Sequence, residues 1–277
     1  MTSDGHVAAP ANTRRFSLLA AVVGYGTQVV AVAGAEVSKL HHDPWELLSR
    51  AVQPILWLVL FGGVMAQIRG LSSGGMRYID FLAPGILAQS VLFVAIFYGI
   101  SAIWERDLGV LHRYMASPAP RSALVVGKAL SSSVRGLSQG VVIYFCAAIM
   151  RVDLSFEPWR IGAVILLIAL ASGLFSTFSL IIACVVKTRE RFMGIGQVLT
   201  MPIFFASNAI YPLDLMPGWL KSVSLGNPLS YEVDGLRALM LRGGTTTFGL
   251  VHDFAVLLAA LFVLIAIATR MYPRMTE

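Results

Sequence analysis

Long apolar runs without a single charged residue constrain this chain more than any other feature. The clearest run covers residues 161–186, and a second covers residues 81–104. Roughly 20 consecutive apolar residues cross the hydrocarbon core of a bilayer as a helix, whose backbone satisfies its own hydrogen bonds. The chain is 57% hydrophobic and only 13% charged, which excludes an ordinary soluble domain. We therefore expect an all-α, polytopic membrane protein.

Six apolar runs, separated by more polar loops, predict six transmembrane helices within a membrane domain of residues 43–277. The first span should begin after Asp43 and Pro44, because aspartate caps helices and proline suits the first helical position. The predicted spans cover about residues 47–67, 81–104, 122–150, 160–186, 192–212 and 253–271.

The N-terminal region divides into a polar part and an apolar part. Residues 1–15 are small and polar, and we expect a disordered cytoplasmic tail. Residues 16–42 are predicted to contain a helix that lies in the membrane interface. The apolar run 16–35 also fits the core of a signal peptide, because two arginines precede it, and it fits an additional span.

The distribution of Lys and Arg predicts the orientation of the chain in the membrane. Six spans place both termini on one side. That side carries 13 of the 21 Lys and Arg residues, the other side carries 7, and Arg135 lies inside a span. Cytoplasmic loops are enriched in these residues, so both termini should face the cytoplasm of a plasma-membrane protein. The net charge is +6, but the basic residues are scattered between apolar runs, which argues against nucleic-acid binding.

A short charged segment, residues 105–115, separates the second and third predicted spans. Its apolar residues recur at helical spacing, so one side of the predicted helix is apolar and the other sides are exposed to water. Pro118 and Pro120 then interrupt the helix. We expect a cytoplasmic docking helix that feeds directly into the third span. Its candidate site residues are Glu105, Arg106, Asp107, Leu108, Leu111, His112 and Met115.

The third span carries a polar stripe, because its polar residues recur every three or four positions. Arginine at the centre of a span costs roughly 2.5–3.5 kcal/mol, so Arg135 should face a wet or protein-lined place. Either the stripe lines a translocation path or subunit interface, or Arg135 is satisfied by carbonyls or a carboxylate of a neighbouring helix. Lys128 is close enough to a span end that it can extend its amine to the interface. The stripe residues are Ser131, Ser132, Arg135, Ser138 and Gln139.

The longest loop, residues 214–253, is too apolar to lie free in water. Asn227 followed by Pro228 predicts a helix start, and the helix should run over residues 229–241. The segment is expected to fold back into the outer half of the membrane, and a plain surface helix is the alternative. The residues that mark it are Pro212, Pro217, Gly218, Trp219, Asn227 and Pro228.

Sequence motifs for phosphate binding or catalysis are weak in this chain. The fragment around Gly127 and Lys128 lacks the first glycine and the hydroxyl of a phosphate-binding loop. All fifteen Asp and Glu residues lie at span ends or in loops, which argues against a proton-coupled carrier. A membrane-embedded enzyme that acts on lipids or glycans is the alternative function. Its candidate residues are Asp214, Glu232, Asp234, His252 and Asp253.

Three stretches, in this order, carry a resemblance to a known family. They are residues 105–107 with 117–118 and 127–128, then 211–212 with 217–220, then 227–231 with 234–237. Together they resemble the ABC type-2 permeases, the membrane subunits of exporters. The chain is most similar to the daunorubicin-resistance and nodulation-exporter branch. The resemblance covers about residue 36 to the C-terminus, and the apolar run 16–35 departs from the basic N-terminus that the family leads us to expect.

The resemblance implies a transport subunit and not an enzyme. It implies a dimer of permeases, here a homodimer, and two separate ATPase subunits that hold ATP and Mg, with no cofactor in this chain. The segment 105–115 would be the coupling helix that sits in a cleft of the ATPase. Re-entrant helices would lie around residues 215–225. The cargo would be a drug, a lipid or a glycan-type amphipathic substrate.

Overall fold

The computed structural model describes residues 44–65, 76–109, 121–186 and 188–275, together with residues 26, 27, 34 and 38. Within these residues every regular element is a helix, and an isolated antiparallel bridge joins Leu154 to Leu241. The helices are α1 (Pro44–Met65), α2 (Tyr78–Tyr98), α3 (Ile100–Asp107), α4 (Arg121–Ile149), α5 (Pro158–Val185), α6 (Arg189–Phe205), α7 (Gly218–Leu225), α8 (Pro228–Met240) and α9 (Leu250–Met271). The predicted tail, the interfacial helix and the loop 66–75 lie essentially outside the described residues.

Four stretches of helix are long and apolar enough to cross a membrane. They are Tyr78–Asp107, which comprises α2 and α3, and the single helices α4, α5 and α9. The shortest of the four has 22 residues, or about 33 Å, which matches a hydrocarbon core of about 30 Å. In α1 the apolar part is the shorter stretch Val52–Val64, and α6 has 17 residues. The four long helices confirm a multi-pass membrane protein, while the count of six spans stays a prediction.

Helix α2 forms the centre of the bundle. All of its residues except Ile79, Phe93 and Phe97 are buried, and it packs against α1, α4, α5 and α8. Helix α9 lies at the periphery, since only Asp253, Leu257 and Ala268 of its residues are buried. Its remaining surface is largely apolar, as expected for a helix that faces lipid.

Small residues allow α4 and α5 to approach closely. A Cβ atom at Gly136 would overlap the hydroxyl of Ser172, and one at Gly140 would lie 3.0 Å from Ile168 Cδ1. The G-x-x-x-G pattern of residues 136–140 therefore lies at the contact between α4 and α5. Without a hydrophobic driving force between helices in lipid, such close backbone packing supplies the van der Waals contact that holds them together.

Helix α8 confirms the helix that the Asn227–Pro228 pair predicts. The Asn227 Oδ1 atom accepts a hydrogen bond from the Leu229 N–H at 3.0 Å, and Pro228 occupies the first position. Every residue from Leu229 to Met240 is buried, and α8 packs on α2, α5 and α9. The alternative of a plain surface helix is therefore wrong, because α8 is part of the core.

The fifth predicted span differs most from the structure. It was expected to reach residue 212, but α6 ends at Phe205. The chain then turns at Ser207, whose hydroxyl donates to the Phe204 carbonyl at 2.7 Å. After this turn the backbone of Ala209 passes directly over α2 at Gly85, where a Cβ would overlap the Ala209 carbonyl. An apolar composition over residues 206–212 predicts burial correctly but cannot distinguish a buried turn from a helix.

Candidate functional site

The bundle has two ends, here named the Glu105 end and the long-loop end. The Glu105 end holds Glu105, Lys128 and Arg189. The long-loop end holds the starts of α2, α5 and α9 together with α7 and α8. Each end carries a distinct set of polar contacts, and a third polar site lies between them.

An ion pair at the Glu105 end joins α3 to α4. The Lys128 Nζ of α4 lies 2.7 Å from Glu105 Oε2 of α3, and both side chains are almost completely buried. The amine also lies 6.0 Å from the centre of the Tyr98 ring. Lys128, which the sequence allows to extend toward the interface, has a buried carboxylate as its partner. Two buried charges of opposite sign are tolerated together, whereas either one alone is costly.

The last turn of α3 is also attached to the turn between α5 and α6. The Arg106 guanidinium donates to the Val186 carbonyl at 3.3 Å. Arg189, at the start of α6, donates to Asp107 Oδ2 from Nη2 at 2.8 Å and from Nε at 3.1 Å. Its guanidinium carbon lies 3.5 Å from the centre of the Trp104 ring, a close cation–π contact. Residues 104–107 thus contact α4, α6 and the α5–α6 turn.

The predicted docking segment begins where α3 ends. Gly109 adopts a φ of +70°, a conformation that glycine reaches without steric cost, and the helix stops just before it at Asp107. Leu108 is 70% exposed, so the first apolar residue of the segment faces away from the bundle. Glu105, Arg106 and Asp107 belong to the end of α3 and not to a separate helix. Leu111, His112 and Met115 lie outside the described residues.

The polar stripe of α4 faces the interior of the chain. Ser131 accepts a hydrogen bond from the Tyr98 hydroxyl at 3.3 Å, and Ser132 donates to the Ser172 carbonyl of α5 at 3.3 Å. Gln139 is fully buried. The guanidinium of Arg135 lies 5.2 Å from the centre of the Tyr98 ring. The structure thus brings Ser131 and Arg135 against α2 and Ser132 against α5.

The Ser138 hydroxyl is hydrogen-bonded within α4 itself, because it donates to the Arg135 carbonyl at 2.6 Å. Ser133, which the stripe did not include, donates to the Ala169 carbonyl of α5 at 2.8 Å. Serine hydroxyls that bond carbonyls of a neighbouring helix are a common means of helix association in membranes. A role of the stripe in a translocation path stays a prediction.

A polar pocket that sequence reasoning missed lies between α1, α2 and α6. Its volume is about 330 Å³, and the ring of Phe93 and the ring of Phe97 form part of its wall. Each of the three helices contributes one glutamine, namely Gln53, Gln89 and Gln197. Gln197 is the middle residue of α6, so the pocket lies well away from both helix ends. Isolated glutamines in three predicted spans were the available signal, but nothing in the sequence places them together.

Gln89 is the most informative residue of this pocket. Its side chain is 1% exposed, and neither its amide nitrogen nor its oxygen has a hydrogen-bond partner among the described residues. The hydroxyl of the adjacent Ser90 is in the same situation. An unpaired amide in an apolar environment costs roughly 2–7 kcal/mol, so this side chain requires a polar partner, either an ordered water or a bound polar molecule. The pocket has no charged residue in its wall.

Several marker residues of the long loop lie at helix boundaries, while the re-entrant segment itself stays a prediction. Pro212 precedes the short 3-10 helix Leu213–Leu215, Pro217 precedes α7, and Gly218 is the first residue of α7. Trp219 is 71% exposed. The Asn227 side chain has a second contact besides its cap, because its Nδ2 donates to the Ile203 carbonyl at 2.7 Å. That bond ties the start of α8 to the end of α6.

Arg237 attaches α8 to the centre of the bundle. Its Nη2 donates to the Asn208 carbonyl at 2.9 Å, and its guanidinium carbon lies 3.9 Å from the centre of the Phe81 ring. The side chain is buried, and the Asp234 carboxylate, three residues earlier on the same helix, is close enough to interact with it electrostatically. The cation is therefore held between a carbonyl, an aromatic face and a nearby carboxylate.

The enzyme alternative finds no support in the arrangement of its candidate residues. Asp214 is almost fully exposed. The Asp234 carboxylate is committed to the fold, because its Oδ2 accepts hydrogen bonds from the N–H groups of Thr247 at 2.8 Å and Phe248 at 3.1 Å. Among the described residues no three His, Cys, Asp or Glu side chains are arranged to hold a metal ion.

Three carboxylates correct the argument against a proton-coupled carrier. Glu232, Asp234 and Asp253 are completely buried, although their positions in the sequence are a loop and a span end. A carboxylate that lies far from the centre of a predicted span can therefore still be buried. The positions of the carboxylates in the sequence do not distinguish a proton-coupled carrier from an ATP-driven transporter.

Comparison with known proteins separates these classes. The model of the ABC-2 type transporter family matches residues 27–241. The putative transport permease ycf38 of Cyanophora paradoxa is 31% identical over 204 residues, which are 73% of this chain and 70% of that protein. The daunorubicin resistance ABC transporter permease protein DrrB1 of Streptomyces coeruleorubidus is 27% identical over 80% of this chain and 78% of its own. The inner membrane transport permease YadH of Escherichia coli K12 is 24% identical over 82% and 91%.

Proposed function

Because the chain belongs to the ABC-2 type transporter family, we propose that it is the membrane subunit of an ATP-driven exporter. Two copies of this chain would form the permease, and two copies of a separate ATPase subunit would bind ATP and Mg. Its relatives are transport permeases, and one of them is named for daunorubicin resistance. The proposed cargo is an amphipathic molecule of the drug, lipid or glycan type.

The proposed topology has six spans. Helix α1, with 22 residues, is about 33 Å long, and α6, with 17 residues, is about 26 Å long, so these two would add to the four long spans. The Glu105 end and both termini would face the cytoplasm, a proposal supported by the predicted excess of Lys and Arg on that side. The segment of residues 206–240 would then fold back into the external half of the membrane.

The observation that carries the proposal is the set of contacts at the end of α3. The segment that begins there would contact the ATPase subunit, as the family resemblance implies. Glu105 contacts Lys128 of α4, and Asp107 contacts Arg189 of α6, so a displacement of the segment would be passed to both helices. ATP on the partner would drive such a switch only by binding the two arrangements unequally.

The pocket between α1, α2 and α6 is the proposed substrate site within each chain. It combines hydrogen-bonding amides with aromatic surface and has no charge in its wall, which suits an amphipathic molecule with uncharged polar groups. It lies beside α6, the helix that the Asp107–Arg189 pair connects to the docking segment. A movement of α6 would therefore change the shape of the pocket.

Leu108→Asp tests the docking assignment. We expect the variant to lose co-purification with the ATPase subunit in detergent, because a carboxylate would be placed on the exposed apolar side of the docking segment. Leu215→Asp is the matched control, since Leu215 is 65% exposed at the opposite end of the bundle. It should retain the ATPase. Loss of binding in both variants, or in neither, would contradict the assignment.

Gln89→Leu tests the substrate site. We expect cells that carry this variant to lose resistance to a panel of drugs that includes daunorubicin, with the protein still folded and bound to the ATPase. Gln139→Leu is the comparison, because Gln139 is equally buried but belongs to the α4 stripe. If only the Gln139 variant loses resistance, the substrate path follows the stripe and not the pocket.

A further inference from the structure

A large cavity at the long-loop end has no place in the function proposed above. It has a volume of about 720 Å³ and lies between the start of α5, the end of α8 and the start of α9. Its wall combines polar, aromatic and small apolar side chains. The wall includes Trp159, Arg160, Thr246, Phe248, His252 and Ala255.

The wall of this cavity is held in place by buried groups of the protein. Asp234 accepts hydrogen bonds from the N–H groups of Thr247 and Phe248, which fixes the loop between α8 and α9. The Phe248 ring packs at 4.9 Å from the ring of Tyr231 on α8. On the other side, Arg160 Nη1 donates to the Leu241 carbonyl at 3.0 Å. The cavity is therefore part of the folded bundle and not a gap between loose loops.

The chemistry of the wall favours an anion. Arg160 and His252 supply nitrogen donors, Thr246 supplies a hydroxyl, and no carboxylate lines the cavity. Glu157 accepts a hydrogen bond from Arg160 Nε at 3.1 Å. Nε and Nη1 of Arg160 already have acceptors within the protein, whereas Nη2 has no hydrogen bond to any of the described residues, so the Nη2 donors are available to a ligand. Arginine is well suited to phosphate because its donors form a rigid fork.

The cavity opens onto an apolar stripe of α9. Val251, Ala255, Leu258 and Phe262 follow one another at helical spacing, and all four are exposed. Val251 and Ala255 belong to the cavity wall as well. The stripe therefore leads from the polar cavity along the helix toward the middle of the membrane. Trp159, which is exposed at the start of α5, lies beside the mouth, and tryptophan is enriched where lipid headgroups meet the hydrocarbon.

We propose that this cavity binds the phosphate of a membrane phospholipid, whose acyl chain lies along the α9 stripe. The starts of α5 and α9 mark the depth of the headgroups, because both helices span the hydrocarbon core. The phosphate accepts hydrogen bonds from Arg160 and His252, and the stripe covers the chain. A free phosphate ion shares the first of these interactions but not the second.

Native mass spectrometry of the purified chain, loaded with phosphatidylglycerol, tests this site. We expect retained lipid on the wild type and about a tenfold loss with Arg160→Gln, the size expected for one charge-assisted contact. Arg242→Gln is the matched control and should retain the lipid. Arg242 also lies at the long-loop end and donates to a backbone carbonyl, that of Leu154 at 3.0 Å, but it does not line the cavity.

A second variant avoids any loss of internal bonds. Ala255→Phe would fill the cavity without removing a hydrogen bond, and it should abolish lipid retention. Val263→Phe places the same side chain on exposed α9 surface away from the cavity and should change nothing. Equal retention by the wild type and Ala255→Phe would overturn the proposal. So would displacement of the lipid by an excess of inorganic phosphate, or equal retention of a phosphate-free glycolipid.

Discussion

Replacing Glu105 with Gln should destabilise the protein by about 3–5 kcal/mol, because the substitution leaves the buried Lys128 amine without its partner. Lys128→Met should have an effect of the same size, since it removes the cation that lies 2.7 Å from the buried Glu105 carboxylate. The measurement is the free energy of unfolding, or the midpoint of thermal unfolding, of the purified chain in detergent. A bilayer offers even less solvation for an unpaired charge than a soluble protein does.

The double variant Glu105→Gln with Lys128→Met should recover most of the lost stability. Replacing both members of a buried ion pair by neutral groups is often close to neutral, whereas removing one member is not. Glu190→Gln is the control for loss of a carboxylate, because Glu190 is exposed at the start of α6. Additive losses in the double variant would show that Glu105 and Lys128 act separately. If the pair also transmits the movement of the docking segment, the stable double variant should hydrolyse ATP with its partner but transport poorly.

Arg237→Gln should destabilise the long-loop end by about 3 kcal/mol or more, because it removes a buried cation that a carboxylate and an aromatic ring surround. The bond to the Asn208 carbonyl would be lost as well, so α8 would be less firmly attached to the turn after α6. Limited proteolysis of the chain in detergent should then cut within the loop 241–249 much faster than in the wild type.

Arg237→Lys separates charge from geometry. It keeps the cation but lacks the planar fork that reaches a carbonyl while lying flat on a ring. We expect an intermediate loss of stability. Arg242→Gln should have a small effect, since its side chain is largely exposed. If the Arg237→Gln variant is as stable as the wild type, the buried Asp234 carboxylate does not require the Arg237 cation.

Most of the helices were predictable from the sequence, because in a membrane the chain has few alternatives. The apolar runs predict α2, α4, α5 and α9 to within a few residues at most of their ends. The start of α8 was predictable from Asn227 and Pro228, since capping is a local interaction between neighbours in the chain. The order of the three motif stretches was sufficient to predict the family.

The partners of the polar residues were not predictable in the same way. Glu105 and Lys128 are 23 positions apart, and Gln53, Gln89 and Gln197 come from three different helices. Each of these side chains taken alone fits a solvated helix end or an isolated polar position in a span. Only the packing of the helices shows that the first two form a pair and that the glutamines share one pocket.

The sequence by itself determined that the chain crosses a membrane as helices, because a buried backbone must satisfy its own hydrogen bonds whatever its neighbours are. The tertiary structure alone decided which charges are buried. Asp234 and Glu232 lie in a long loop of the sequence, yet α8 carries them into the core between α2, α5 and α9. Burial depends on which helices surround a residue, and no local pattern of the chain contains that information.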